Sequence, residues 1–511
     1  GYGPDYCSNN NLTDCISDCD GKAECGPNAV DAAHFACPLN VCCSQWGFCG
    51  TTDEFCGVRT QPNTNCAAGS SLNRVIGYYE GWAVGQPCDI IQPEELPGGW
   101  LSIEPQPHLN DLSFPIVAEA AHDVYAVPAS PSDVPLYTRI TNLKAINPAL
   151  RTYISIGGWT FNDPGPTFTT FSNLSSSPAH TMAFVTSLMN FMTQFGFDGV
   201  DIDWEYPAAP ERGGSPVDTQ NFVTLLSQIR AGFDNAGHRD WGITFTAPSS
   251  YFYMRNFDIP GMLEYADWVN VMTYDLHGTW DQNDIWIGPY LLAHTNLTEM
   301  EQTMQLFWRT GVPSTSVVLG IGFYGRSFTV SNPDCTQPGY YCTFSGGGKP
   351  GPCTASSGTL SYAEIMGIIA ENDLVGVFDS ISGAKYLNWD TNQWVSYDDA
   401  QTLALKVNFA DQHCLGGIMI WSADQDTPEF DAINSLLGEK VLIQLDAAQV
   451  PFQTSILVPN GQNCAPTANC GDLCPNGFVQ GKCCQIIYSA HHQVFVCSQR
   501  CEWPCLCSRR M

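Results

Sequence analysis

FDGVDIDWEYP, residues 197–207, sets Asp201, Asp203 and Glu205 at alternate positions within a run of Val, Ile, Trp and Tyr. Alternate side chains of a β-strand share one face, so three carboxylates leave the same side of an apolar strand. Like charges crowded against an apolar wall are costly unless at least one of them holds a proton. A carboxyl kept protonated near neutral pH can serve as a general acid. The plainer alternative, a strand whose acids face water, leaves the clustering without a use. Asp198 has the opposite strand parity from Asp201, which gives it a structural role at the strand start.

Outward from this strand, apolar runs recur at 75–82 (VIGYYEGW), 152–159 (TYISIGGW), 242–250 (GITFTAPSS), 268–275 (WVNVMTYD), 317–325 (VVLGIGFYG) and 415–424 (LGGIMIWSAD). Amphipathic helical stretches at 179–195, 219–233 and 297–309 lie between them. Such alternation predicts an α/β architecture with parallel strands. Polar and aromatic residues at the C-terminal ends of the runs favour a (β/α)8 TIM barrel, which places its site there. A doubly wound sheet is the alternative, but its Gly-rich phosphate loop after the first strand is missing. Residues 327–394 break the alternation with three Cys and a Gly-Pro-rich stretch, so a small α+β insertion after strand seven is expected. One piece disagrees. The second strand should follow 107–110, yet 111–123 reads DLSFPIVAEAAHD, with a mid-run Pro and a helix-like AEAA. A barrel lacking that strand would keep an open edge.

The chain has 511 residues and 24 cysteines. Ten cysteines lie in 1–66, nine in 464–507 and five between. Disulfide-rich regions at 1–66 and 441–511 therefore flank a Cys-poor barrel expected over 74–438. The cysteine spacings, without paired His partners, do not suit zinc, and neither a metal nor a cofactor is called for. The formal charge is −31, which excludes binding to a nucleic-acid backbone and disfavours an anionic membrane surface. No apolar run is long enough to span a bilayer. Sequons begin at Asn11, Asn173 and Asn296, and with the cysteines they point to a secreted, extracellular or cell-wall setting. The chain opens at Gly1 without a signal peptide, as a processed chain or a fragment would.

At 42–56, CCSQWGFCGTTDEFC, a scaffold too small to bury them all carries Ser44, Trp46, Phe48 and Phe55. Exposed rings on a stapled mini-domain stack on sugars, while a hydroxyl fixes orientation. The stretch from about residue 22 to 66 resembles hevein-type chitin-binding modules, in the adjacent Cys pair and both later spacings. That resemblance implies disulfides Cys25–Cys43, Cys37–Cys49 and Cys42–Cys56, with those four side chains on N-acetylglucosamine units.

The D-x-x-D-x-D-x-E pattern of Asp198, Asp201, Asp203 and Glu205 resembles glycoside hydrolase family 18. SIGGW (155–159), VMTYDLHGTW (271–280), FYGRSF (323–328) and GGIMIWSADQD (416–426) are similar to that family's strands three, six, seven and eight. Fungal chitinases join such a barrel to a hevein-like module, and the alpha subunits of yeast killer toxins share the arrangement. The resemblance implies a chitinase using the substrate's own acetamido group as nucleophile, with retention. Glu205 would be acid and base, Asp203 would orient the acetamido N–H and stabilise the cyclic intermediate, Asp201 would hold Asp203 in the needed protonation state, and Tyr274 would hold the acetamido oxygen. Tyr78, Trp82, Trp159, Tyr206, Met272, Asp275, Trp280, Tyr324, Arg326 and Trp421 would line the substrate sites. Chitin and N-acetylglucosamine oligomers are the implied partners. A non-catalytic chitin lectin, or a toxin subunit docked by chitin binding and disulfide-linked to a partner, is the alternative.

Overall fold

The computed structural model describes residues 23–56 and 71–437 apart from short breaks, the longest at 97–111. In the tail it describes only the backbone of short strands between 456 and 507. Cys7, Cys15, Cys19, Cys66 and the tail cysteines, with the covalent partner expected there, lie outside the residues whose side chains are described.

Eight parallel strands form the centre: β1 (Val75–Gly77), β2 (Leu112–Ser113), β3 (Thr152–Gly157), β4 (Gly199–Asp203), β5 (Gly242–Pro248), β6 (Trp268–Met272), β7 (Val317–Gly322) and β8 (Gly417–Trp421). They pair in the order β1–β8–β7–β6–β5–β4–β3–β2. β2 also lies beside β1, which closes the sheet into a barrel. On β4, Val200 and Ile202 are fully buried on the helix side, while Asp201 and Asp203 alternate with them toward the lumen.

The outer helices form where the apolar period predicts them, with explicit stops. Helix Pro178–Phe195 starts with Ser177 accepting from the His180 N–H and Pro178 in the first turn. It buries Phe184, Val185, Leu188, Phe191, Met192 and Phe195. Gly196, in the left-handed region at φ 80°, ends it and turns the chain toward β4.

Of β2, Leu112 and Ser113 are described and pair with Thr152 and Tyr153 of β3; residues 114–119 lie outside the described residues. β1 is shorter than expected and ends at Gly77. The Tyr78 N–H still donates to the Ile420 carbonyl, the Glu80 N–H donates to the Asp424 side chain, and Gly81–Gly85 coils into a 3-10 turn.

The insertion, expected at about 327–394, holds an antiparallel sheet that runs from Tyr324–Val330 to Gln393–Tyr397 and includes Tyr290–Leu291 from the loop after β6. Phe328 stacks on Phe344 and Trp394 at ring distances of 4.3 and 5.6 Å, a core separate from that of the barrel. Cys335–Cys342 closes one hairpin, and Cys88–Cys353 ties the insertion to the loop after β1.

The amino-terminal module contains the disulfides Cys25–Cys43, Cys37–Cys49 and Cys42–Cys56. Cys25, Cys37 and Cys49 bring their sulfurs together, but as halves of disulfides they offer no thiolate to a metal. The module rests on helix Leu297–Thr310. Asn40 donates to the Arg309 carbonyl at 3.0 Å, and the Arg309 guanidinium lies 3.3 and 3.2 Å from the sulfurs of Cys42 and Cys56. Among the described residues no helix is long and apolar enough to cross a membrane.

Candidate active site

Barrel geometry delivers the side chains of several strand ends to one mouth. Asp201 and Asp203 sit on β4 and Glu205 two residues past Asp203, being 1%, 5% and 7% exposed. The close fit of β3 against β4 depends on Gly157, at φ 119°, where a Cβ would lie 2.0 Å from the Asp203 carbonyl oxygen.

The three acids differ in their surroundings. Asp201 accepts hydrogen bonds from Tyr78 (2.8 Å), Ser155 (3.0 Å), Thr244 (2.6 Å) and Asn270 (3.3 Å). Burial raises its pKa, and these four donors work against the rise. Asp203 accepts one hydrogen bond, from Thr246. Burial, then the charges of Glu205 and Asp201, hold it well above the usual carboxylate range. Burial pushes Glu205 up to about 7, although Tyr206 hydrogen bonding and the Arg212 charge pull the other way. Asp201 is thus best equipped to hold negative charge, and burial favours the protonated forms of Asp203 and Glu205.

Asp275, after β6 and in the left-handed region at φ 55°, is the counterpoint. Arg326 grips it through Nε (2.7 Å) and Nη2 (2.6 Å), and the Tyr324 hydroxyl donates at 2.7 Å. Burial alone would raise the Asp275 carboxyl, but Arg326 and hydrogen bonding from His294 hold it well below the usual range. It stays charged. Tyr274 is buried, and burial followed by the neighbouring carboxylates raises its pKa, so it remains a neutral donor. Among the described residues its hydroxyl reaches only the Met419 sulfur, at 3.7 Å, a weak acceptor that leaves the proton available.

Aromatic rings surround these groups. Trp82, Trp159 and Trp280 are about half exposed, at 50%, 52% and 48%. Trp421 is half-buried at the end of β8, with its ring 5.2 Å from that of Tyr78, and Met272 is half-buried at the end of β6. Tyr206 is buried between Trp159 (6.4 Å) and Tyr253 (4.2 Å).

Sequence reasoning missed the polar lining. Ser155, Thr244, Thr246 and Asn270 share lumen parity with the acids, a signal the strand runs contained but did not advertise. Arg212 was also missed. It lies 3.7 Å over the Trp159 ring, pairs with Asp163 at 2.7 Å and donates to the Glu205 carbonyl at 3.0 Å. Asp198 lies apart from the mouth, binding Lys144 at 2.8 Å and the Thr152 N–H at 2.8 Å.

In the module Ser44 and Phe48 close a turn, the Phe48 N–H donating to Ser44 Oγ at 3.1 Å. Phe55 packs over Gly50 and is half-buried, as is Phe48. Trp46 is the ring that stands clear, 66% exposed.

Comparison with known proteins agrees with this geometry. The profile of glycosyl hydrolases family 18 matches residues 74–426, and that of the chitin recognition protein family matches 24–66. The chain is 29% identical to "Secreted chitinase LysM12" of Penicillium expansum, over 80% of this chain and 29% of that protein. It is 29% identical to "Killer toxin subunits alpha/beta" of Kluyveromyces lactis, over 79% and 34% respectively. It thus spans about a third of the length of these curated relatives. The group IV chitinase of Ostrinia furnacalis, solved in complex with allosamidin, superposes with a TM-score of 0.61 at 27% identity, covering 71% of this chain and 98% of that one.

Proposed function

The chain belongs to glycoside hydrolase family 18, and from that premise we propose that it hydrolyses β-1,4-N-acetylglucosamine linkages in chitin. The observation that carries the reading is Glu205, buried at the barrel mouth two residues past Asp203, its carboxyl pushed up to about 7 by burial. An aromatic mouth suits the CH-rich faces of pyranose rings.

The chemistry follows from the proton positions. Glu205 gives its proton to the glycosidic oxygen as the bond from that oxygen to C1 breaks. The acetamido carbonyl oxygen of the same sugar bonds to C1 from the opposite side, forming an oxazolinium ring, a departure from two-carboxylate hydrolysis. Asp203 accepts from the acetamido N–H, and the Asp201–Asp203 pair, with one negative charge between them, offsets the positive ring. Tyr274 donates to the acetamido oxygen and Asp275 fixes the sugar hydroxyls. Water then attacks C1 as the bond from C1 to the acetamido oxygen breaks and restores the acetamido group, the water's proton passes to Glu205, and the configuration at C1 is retained.

The pH dependence has a definite sign. Glu205 carries its proton below about 7 and loses it above. On oligomers of N-acetylglucosamine, kcat/KM should therefore hold on the acid side of that value and fall up to about tenfold per pH unit beyond it. A rate unchanged to pH 9 would exclude Glu205 as proton donor.

The module supplies adhesion to insoluble polymer. Trp46→Ala should weaken retention on insoluble chitin about tenfold, the loss of one exposed stacking ring, and leave turnover of short soluble oligomers intact. Equal losses on both substrates would mean that the ring is not an independent docking face. Disulfides among the described residues support an oxidising setting, in keeping with secretion.

A further inference from the structure

The chain after β4 turns back on the loop after β3 at the short 3-10 turn Pro210–Arg212. Arg212 is buried there, 5% exposed. Its backbone is already seated against that loop, because Asn162 Nδ2 donates to the Arg212 carbonyl at 3.3 Å. On the next residue, Gly213, a Cβ would lie 1.9 Å from the Phe168 carbonyl oxygen. The two loops are thus joined without the Arg212 side chain.

The guanidinium has a different task. Nε donates to the Glu205 carbonyl at 3.0 Å, Nη1 to Asp163 at 2.7 Å, and Nη2 to the Trp159 carbonyl. Three donors in one rigid plane, each with its own acceptor, fix that plane. Against it lies the indole of Trp159, its centroid 3.7 Å from the guanidinium carbon. One face of the indole is thereby covered, yet the residue is half exposed, so the flat surface left to solvent is the other face. We propose that Arg212 is a positioning residue that holds the plane of Trp159, so that the free face of the indole is already aligned when a sugar ring meets it. The inference rests on the chitin reading above. A ring left free to turn would have to be ordered by the sugar, which costs about fivefold in affinity for one side chain.

Lysine cannot replace arginine in this role, since it keeps the charge but has neither the plane nor the fork. The charge acts separately, on the acid. Burial raises the Glu205 carboxyl, and the charges of Asp275 and Asp163 add to the rise. Tyr206 hydrogen bonding and the Arg212 charge oppose it, and Asp203 is the further acid that Glu205 faces.

The test is a double-mutant cycle on the full chain, in a Glu205→Gln background that keeps the oligomer whole. Affinity for the hexamer of N-acetylglucosamine is read by calorimetric titration. Arg212→Lys is expected to weaken it about fivefold. With Trp159→Ala also present, the same change should cost less than about twofold, since no ring is left to align. A fivefold loss that persists without Trp159, or no loss with it, overturns the proposal. Where Arg212→Lys does not fold, Asp163→Ala, at the half-exposed partner of Nη1, carries the cycle, with a loss of about twofold expected only while Trp159 is present. With Glu205 intact, Arg212→Lys should leave the alkaline fall of kcat/KM in place, and the uncharged Arg212→Met should move it to higher pH. An equal move in both variants would mean that the acid itself has shifted, and would also overturn the proposal. If the Glu205→Gln chain binds no hexamer, the chitin reading fails and takes this inference with it. If it binds and the Arg212 variants bind equally well, this inference alone fails.

Discussion

Glu205→Gln is expected to lower turnover of N-acetylglucosamine oligomers about 10³-fold, within the range that a positioned general acid contributes. Retention on insoluble chitin should not change. The substitution is nearly isosteric, and the Glu205 carboxyl is protonated and neutral below about pH 7, so a neutral amide disturbs neither packing nor charge there. It removes the transferable proton and little else. The rings proposed to bind sugar in the mouth, Trp82, Trp159, Trp280 and Trp421, and the ring proposed to adhere to polymer, Trp46, are left in place by the change. Steady-state rates and a chitin pull-down on the same preparation separate the two effects. Undiminished turnover would move the acid elsewhere, and loss of both properties would indicate misfolding instead.

The second large effect concerns folding. Lys406, in helix Ala400–Gln412, is fully buried against Asp398 and also donates to the Gly383 carbonyl at 3.2 Å. The pair itself adds little net stability, since two charges lost their water to form it. Removing one partner is another matter. Lys406→Ala would strand Asp398, one of whose oxygens already lacks a partner among the described residues, at a cost of about 3–5 kcal/mol. That is a large part of the ~5–15 kcal/mol that holds a domain together. Urea unfolding should show it directly, and adding Asp398→Asn should return much of the loss. A midpoint shift below about 1 kcal/mol would mean that water reaches the site.

Much of this was legible beforehand for a physical reason. Buried parallel strands must be apolar on both faces, so the barrel announces itself as runs such as VIGYY and GIMIW. The catalytic acids stand out because charge inside such a run is costly. Strand ends were less legible. Past Gly77 the Glu80 N–H bonds to Asp424, nearly 350 residues away in sequence, which no local pattern encodes. The pairing of Leu112–Ser113 with β3 was hidden by the irregular sequence around it. Arg212 escaped notice because its partners Trp159, Asp163 and the Glu205 carbonyl meet only in the folded barrel. The recruitment of Tyr290–Leu291 into the insertion sheet was hidden likewise, two residues being too few to show a period.

The central claim is that the sugar attacks itself while Glu205 supplies the proton. It is tested most directly by comparing two oligomers that differ at one group, the 2-acetamido arm of the sugar whose bond is cut. With that arm replaced by a hydroxyl, kcat/KM should fall by at least about 10³-fold, the worth of a tethered nucleophile. Cleavage of the hydroxyl analogue at the rate of the native oligomer would contradict the account.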